Sequence, residues 1–398
     1  MKYIAFLYII VVLFTINACR SDNKSNLHIQ NMVQIKPEDK TLKLSDIFSA
    51  YKIIRLEGPS LTGVFNIIIQ DSLMIIDGSS ENSSLHLYTT EGKYKNHLID
   101  KGRGNNEAFN IQTCRLTNSN EIEILANFSQ KLYTYSLLEN KITNQLTLSP
   151  CVFGSEDFIK LDSLRYVFFK PNPQLKGKDK EYKVNIYNIK THVIEKQYRK
   201  LTENDLNISF QQTRRLHSIN NRILFHDVFS SGIYQIYPDT VSFYIYFDKG
   251  EYDFPASLLE EKSSSFDELI ETCLSSPYIF DHINMSESNK YILSTYIYKE
   301  QTYLNVIDKS NMTSQSYTHI YDDLITSETF EIKEILWNIA AQDNIHVFTL
   351  EPSLFKEIIA KKKKEKTFER YQNQYPYPSS LAEQLSENDN SLVILFYE

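Results

Sequence analysis

Six apolar runs of strand length, each led in by a polar turn, recur along this chain. They are LMIIDG from Leu73, EIEILAN from Glu121, LRYVFFK from Leu164, RILFHD from Arg222, YILSTY from Tyr291 and IHVFTL from Ile345, starting 43 to 69 residues apart. Each of the first five is followed by a second run of similar form, and these end at Tyr88, Tyr135, Tyr187, Tyr237 and Asp308. Repetition at such a period marks an array of one supersecondary unit. A unit of several antiparallel strands repeated around an axis is a β-propeller blade. The expectation is an all-β fold, a six-bladed β-propeller, in preference to a β-sandwich. A propeller must close its ring. After IHVFTL comes a charged helical stretch, Pro352 to Arg370, and then SLVILFYE. Leu392 to Tyr397 is therefore predicted as the third strand of the last blade, with Tyr51 to Glu57 as its fourth. The long gap between the fourth and fifth units carries Leu258, Leu259, Phe266, Leu269 and Ile270, a spacing that predicts short helical insertions.

Composition agrees with strands. Tyr and Phe number 27 and 23, and aromatic residues suit a pleated, half-buried surface. With only 10 Gly, the turns must use Asn, Asp and Ser. The net charge is −8, and the one basic run, Lys361 to Lys366, sits in the helical stretch, where it reads as a solvated face. Nucleic acid is excluded as a partner on these grounds.

The first residues concern location. Tyr3 to Ile16 is a continuous apolar stretch of 14 residues behind Lys2, too short for a bilayer core that needs about 20. It has the form of the apolar region of a secretory signal peptide. The stretch Ile16-Asn17-Ala18-Cys19 resembles the lipobox of bacterial lipoproteins, with Asn17 as its departure. That resemblance implies cleavage before Cys19 and a diacylglycerol on its thiol. The expected organisation is a signal peptide over 1–18, a lipidated Cys19 and tether over 19–40, and the propeller over 41–398. The expected location is an outer-membrane lipoprotein, on the periplasmic side or at the cell surface. Cys114, Cys151 and Cys273 are odd in number and form no CxxC pair, so they read as small core hydrophobes.

Three segments carry a wider resemblance: LKLSDIFSAYKIIRLEG with GVFNIIIQDSLMIIDG after it, LHLYTTEGKYKNHLIDKGRGNNEAFNI, and the last run LAEQLSENDNSLVILFYE. In these the chain resembles the six-bladed β-propeller lipoproteins of Bacteroides and related bacteria. Lys101 to Glu107 keeps two glycines and the Glu of that family's loop but lacks its Pro-Gly pair. The resemblance implies fold and export, and no particular activity.

No catalytic signature stands out. GRGNNEAF lacks the Gly-Lys-Ser/Thr ending of a phosphate loop, and reads as a connection on the propeller face where Arg103 and Glu107 could line a ligand site. There is no G-x-S-x-G elbow and no close His/Asp/Glu spacing for a metal; His226-Asp227 and Asp281-His282 are the adjacent pairs. No cofactor is expected; calcium, held in the channel of some propellers, has no signature here. Asp71-Ser72-Leu73, Asp162-Ser163-Leu164 and Asp239-Thr240-Val241 resemble the acceptor triplet for O-glycosylation of exported Bacteroidetes proteins, which would place sugar on Ser72, Ser163 and Thr240. The same triplets are good hairpin-turn chemistry. The expected function is binding of a glycan, peptide or protein partner through one face, by a membrane-anchored protein that is not an enzyme. The alternatives are a metal-dependent lactonase- or lyase-type enzyme and a scaffold of an outer-membrane complex.

Overall fold

The computed structural model describes residues 31–61, 63–64, 66–69, 73–77, 84–104, 107–109, 111–118, 120–126, 129–170, 182–200, 215–219, 221–227, 230–255, 258, 266–332, 340–342, 344–365 and 368–398. Cys19 and Ser72 lie outside them.

The described strands form seven sheets. Sheet I holds Asn66–Ile69, Leu73–Asp77, Ser84–Tyr88 and Tyr94–Lys101, with a short fifth strand, Glu107–Ala108. Sheet II holds Ile111–Asn118, Glu121–Ala126, Lys131–Ser136 and Lys141–Thr147. Sheet III holds Asp157–Lys160, Arg165–Phe169, Tyr182–Asn188 and Val193–Lys200. Sheet IV holds Leu216–Ile219, Arg222–Phe225, Gly232–Ile236 and Val241–Asp248, with Met32–Gln34 added in parallel to the last. Sheet V holds Phe280–Glu287, Tyr291–Tyr298, Gln301–Asp308 and Thr313–Tyr317. Sheet VI is small, with Thr41–Lys43, His319–Asp322 and Glu328–Glu331. Sheet VII holds Ala340–Gln342, Ile345–Leu350, Leu392–Tyr397 and Ala50–Ile54.

The ring closes as the sequence predicts. Leu392–Tyr397 pairs antiparallel with Ile345–Leu350 on one side and with Ala50–Ile54 on the other. The count differs: there are seven sheets, not six blades. The seventh is sheet VI, whose strands of three and four residues are too short to register as a repeat. It packs against sheets V and VII through Leu42, Ile320 and Ile332.

Second and third strands are buried on both faces, as in Glu121–Ala126, because a neighbouring sheet covers each side. The fourth strands of sheets II and III face water, with Lys141–Thr147 and Val193–Lys200 mostly exposed, whereas that of sheet IV is covered by Met32–Gln34. The core is accordingly divided into interfaces. One apolar cluster joins sheets I and II, and others join II to III, III to IV, IV to V, V to VI and VII, and VII back to I. At about 25 cal/mol per Å² of apolar surface buried, this contact between sheets, rather than any one sheet, holds the ring.

The repeated tyrosines have a common task in part. Tyr88, Tyr135 and Tyr187 are fully buried. The Tyr135 hydroxyl donates to Asn140 at 2.7 Å, and that of Tyr187 meets His192 at 2.9 Å. Asn140 and His192 have φ of 53° and 58°, so each tyrosine pins a strained hairpin from inside. Tyr237 and Asp308 do not match them. Ile307 stands five residues before positive-φ Met312 in sheet V, as Tyr135 and Tyr187 stand before Asn140 and His192. In sheet I the hairpin needs Gly92 (φ 86°), where a Cβ would lie 2.0 Å from the Arg55 carbonyl oxygen.

Two further expectations change. Residues expected as tether are already part of the fold, since Met32–Gln34 is a strand of sheet IV and Ile35 is fully buried. The Lys361 to Lys366 run is a solvated face only in part: Lys361, Lys363 and Lys364 are exposed, Lys362 is buried, and Lys366 lies outside the described residues. On α2, Pro352–Lys363, Lys362 is buried and bonds Glu328 at 2.6 Å and the Ser327 carbonyl at 3.1 Å, while Lys363 reaches Glu383 at 2.8 Å. These lysines staple the helix to sheet VI and to α4, Pro376–Gln384. The predicted insertion is present as α1, Phe266–Ser275; α3 is Phe368–Gln374.

Candidate functional site on the loop-bearing face

An antiparallel meander has two ends, and here they differ. The turns between first and second strands and between third and fourth strands lie at one end of every four-stranded sheet, and most of them are short. The other end carries the long connections: the links between sheets, and helices α2 to α4 between the second and third strands of sheet VII. Loop-bearing ends over a rigid scaffold are where binding groups collect.

Charged side chains gather at this end of sheets II, III and IV. Arg115, on the first strand of sheet II, donates to Asp157 at 2.5 Å and to the carbonyls of Phe158 (3.1 Å) and Leu216 (2.8 Å). Asp157 accepts the Leu216 amide at 3.0 Å. One buried ion pair thus ties the inner strands of three sheets. Asp227, directly after the second strand of sheet IV, is 3 % exposed and meets Lys183 at 2.7 Å and Arg199 at 3.4 Å. Burial pushes its carboxyl up, yet the Lys183 ammonium and Arg199 guanidinium hold it below the usual range. His226 packs against His217, ring centroids 5.2 Å apart.

Glu156 leads into the same strand as Asp157. Burial pushes its carboxyl up to about 7, with Arg215 pulling down and Asp157 pushing up. A carboxyl so placed is neutral in mild acid and charged above neutrality, so it can donate or accept at a ligand. The sign of its effect on stability follows. The folded protein holds this proton more tightly than the unfolded chain, so its stabilising share is full below about pH 4.5 and is lost as pH rises through about 7. Glu156→Gln is expected to flatten the fall in stability between those values, measured by denaturant unfolding at several pH values. An unchanged slope would reject the assignment.

The residues singled out from sequence are placed as follows. Arg103 is exposed, its guanidinium 5.1 Å from the Phe109 ring centre. Glu107 accepts the Gly104 amide at 2.7 Å and fills the space beside Gly102, so it braces its own loop. Both lie on the loop-bearing face, in the link between sheets I and II. Ser163 and Thr240 are exposed in short turns of the opposite face. Asp162 does act as a turn former: its Oδ1 accepts the amides of Leu164 (2.9 Å) and Arg165 (2.8 Å). The side chains of Asp281 and His282 lie outside the described residues. Among the described residues no three His, Cys, Asp or Glu side chains are placed to hold a metal ion.

Sequence reasoning noted the His226-Asp227 pair but missed Arg115, Glu156, Asp157, Lys183 and Arg215. The available signal was a charge set inside or at the edge of a strand-length apolar run, as in TCRL, EDFI and YKVNIY.

A second arrangement has the outline of a catalytic triad without its access. His346 Nδ1 meets Ser286 Oγ at 2.6 Å and its Nε2 meets Glu398 at 3.2 Å. Ser286 and His346 are 2 % and 0 % exposed. Glu398 also accepts the Ser288 hydroxyl and the Lys290 amide. This is a clasp between sheets V and VII. An apolar cavity of about 50 Å³ lies between sheets VI and VII and α2, bordered by Leu44, Phe330, Phe348 and Leu354. Asp322 at its wall is raised by burial, although Leu324, Ile325 and Thr326 all bond it.

Known structures share this architecture. A Bacteroides fragilis protein designated as exported is 15 % identical, with a TM-score of 0.72 over 92 % of this chain and 99 % of that one. A member of the DUF4221 family from Bacteroides vulgatus is 10 % identical, with a TM-score of 0.52 over 88 % and 97 %. At such identities the likeness establishes the β-propeller fold alone. No curated protein matches the chain by sequence. Residues 28–397 match the family described as a domain of unknown function (DUF4934), and the chain belongs to that family.

Proposed function

We propose that this is an exported, lipid-anchored propeller of the outer membrane that binds a glycan, peptide or protein partner through its loop-bearing face. The observation that carries the reading is the asymmetry of the two ends: long connections and the cluster around Asp157, Asp227 and Glu156 on one, mostly short turns on the other. The apolar stretch ending at Cys19 supports export and anchoring, and the triplets at Ser72, Ser163 and Thr240 support sugar attachment.

The test is thermal unfolding of residues 20–398 against panels of glycans and peptides, with calcium and with chelator. A ligand at 100 times its Kd adds about 2.7 kcal/mol, a rise in Tm of roughly 3–4 °C for a chain of this size. A glycan or peptide shift that Arg103→Ala or Glu156→Gln reduces would support the reading. A calcium shift reversed by chelator would favour a metal-dependent enzyme instead, and no shift would favour a scaffold. Intact mass from the native host reads the acyl chains on Cys19 and any sugar together.

A further inference from the structure

The cavity between sheets VI and VII takes no part in the binding proposed above. It has a volume of about 50 Å³. Ile320, Phe348, Ile394 and Phe396 form its buried wall. Phe330, Leu350 and Leu354 also line it and are partly exposed, so on their side it reaches the surface. Asp322 and Thr326 are polar, but the Thr326 hydroxyl donates to Asp322 at 2.8 Å, and both Asp322 oxygens accept backbone amides. These polar atoms are turned to one another and to the main chain, and the wall is left apolar. A sugar seated there would bury hydroxyls without partners, which is costly. An aliphatic group gains from the same wall. A cavity of about 150 Å³ takes benzene, so this one has room for a group of roughly two or three carbons.

The strand at the mouth says what could carry such a group. Glu328–Glu331 is the last strand of sheet VI: it pairs with His319–Asp322 on one edge, and among the described residues no strand pairs with the other. The Ser327 amide bonds the Asp322 carbonyl, and the Ile332 amide bonds the Thr318 carbonyl. In an antiparallel ladder this phase turns the amide and carbonyl of Thr329 away from His319–Asp322, and Thr329 is exposed. Phe330, one residue on, stands opposite Ile320, and both line the cavity. A strand added along the outer edge would set the side chain opposite Phe330 on the same face, at the cavity.

We propose that Glu328–Glu331 takes an extended polypeptide segment as an added strand, and that the cavity takes one small aliphatic side chain of that segment. In this mode the main chain supplies the pairing and the cavity chooses the residue. The site is separate from the charged cluster of sheets II to IV and stands or falls without it.

The test uses the full chain with isotope-labelled isoleucine methyl groups, read by NMR. Xenon reports on the cavity, and blocked peptides of the form Lys-Thr-Xaa-Thr-Lys, with Xaa either Val or Ser, report on the strand site. Xenon is expected to shift the methyls of Ile320, Ile325 and Ile394, which line the cavity. The Val peptide is expected to shift the same methyls, to displace xenon, and to bind about ten-fold more tightly than the Ser peptide. Leu354→Trp fills the mouth and should abolish both responses. Thr329→Pro removes the outward amide, a change that an edge strand tolerates; it should weaken the Val peptide about ten-fold while xenon still enters. A Val peptide that leaves these methyls unmoved overturns the proposal, as does equal binding of the Val and Ser peptides. Unchanged binding of the Val peptide to Thr329→Pro overturns the added strand. Shifts with sodium hexanoate but not with the Val peptide would assign the cavity to an alkyl chain and reject the peptide. Shifts that grow with protein concentration alone would assign the edge to a second copy and reject it likewise.

Discussion

Glu287→Ala is expected to destabilise the protein by about 3–5 kcal/mol, lowering Tm by roughly 4–6 °C at the entropy change of a chain this long. The Glu287 side chain is fully buried at the contact of sheets IV and V. It accepts from Arg222 at 2.8 Å, Lys309 at 2.7 Å and the Tyr244 hydroxyl at 3.0 Å. The Tyr244 hydroxyl is pushed up to about 12 by burial and then by Glu287, so it remains a donor throughout the working range. Removing the carboxylate leaves two cations facing each other with little water to screen them. Arg222→Ala should cost less, because Lys309 stays beside Glu287. Denaturant unfolding of both variants decides the matter, and a loss below about 1 kcal/mol for Glu287→Ala would refute the account.

Asp157→Ala should have a similar effect, and it reaches the candidate site. Asp157 is 4 % exposed and joins Arg115, the Phe158 amide and the Leu216 amide, so it links sheets II, III and IV. Its loss strands a guanidinium that is only 13 % exposed, at about 3–5 kcal/mol. Replacing both partners, Arg115→Met with Asp157→Leu, is expected to be milder than Asp157→Ala alone, since no uncompensated charge remains. Asp157 also pushes the neighbouring Glu156 carboxyl up. Its removal should therefore move the pH-dependent fall in stability to lower pH. Equal costs for the single and double changes, or an unmoved pH profile, would show that the pair acts by packing alone.

Much of the fold could be read from the runs themselves. The strand at Leu392–Tyr397 and its partner at Ala50–Ile54 were legible because a ring of antiparallel sheets leaves one place for an unpaired apolar run. Sheet VI was not, since three strands of three or four residues carry too little periodicity. Within the Lys361 to Lys366 run, buried Lys362 was missed for a related reason. Charge on a helix says which residues want a partner, whereas Glu328 and Glu383 come to them only through the packing of sheet VI and α4. The site was half visible. His226-Asp227 stood out as a pair, but Arg115 and Asp157 are 42 residues apart and meet only because the first strands of sheets II and III lie side by side.

The sequence by itself determined the longer strands, the propeller class and how its ring is closed, because alternation of apolar and polar residues and polar turns act over a few residues at a time. Only the tertiary structure decided which charges share an interface, how many sheets share the core, and which end is bare and which carries the loops. Those depend on contacts between sheets distant in sequence, and the strength of each contact is set by burial that no single strand possesses alone.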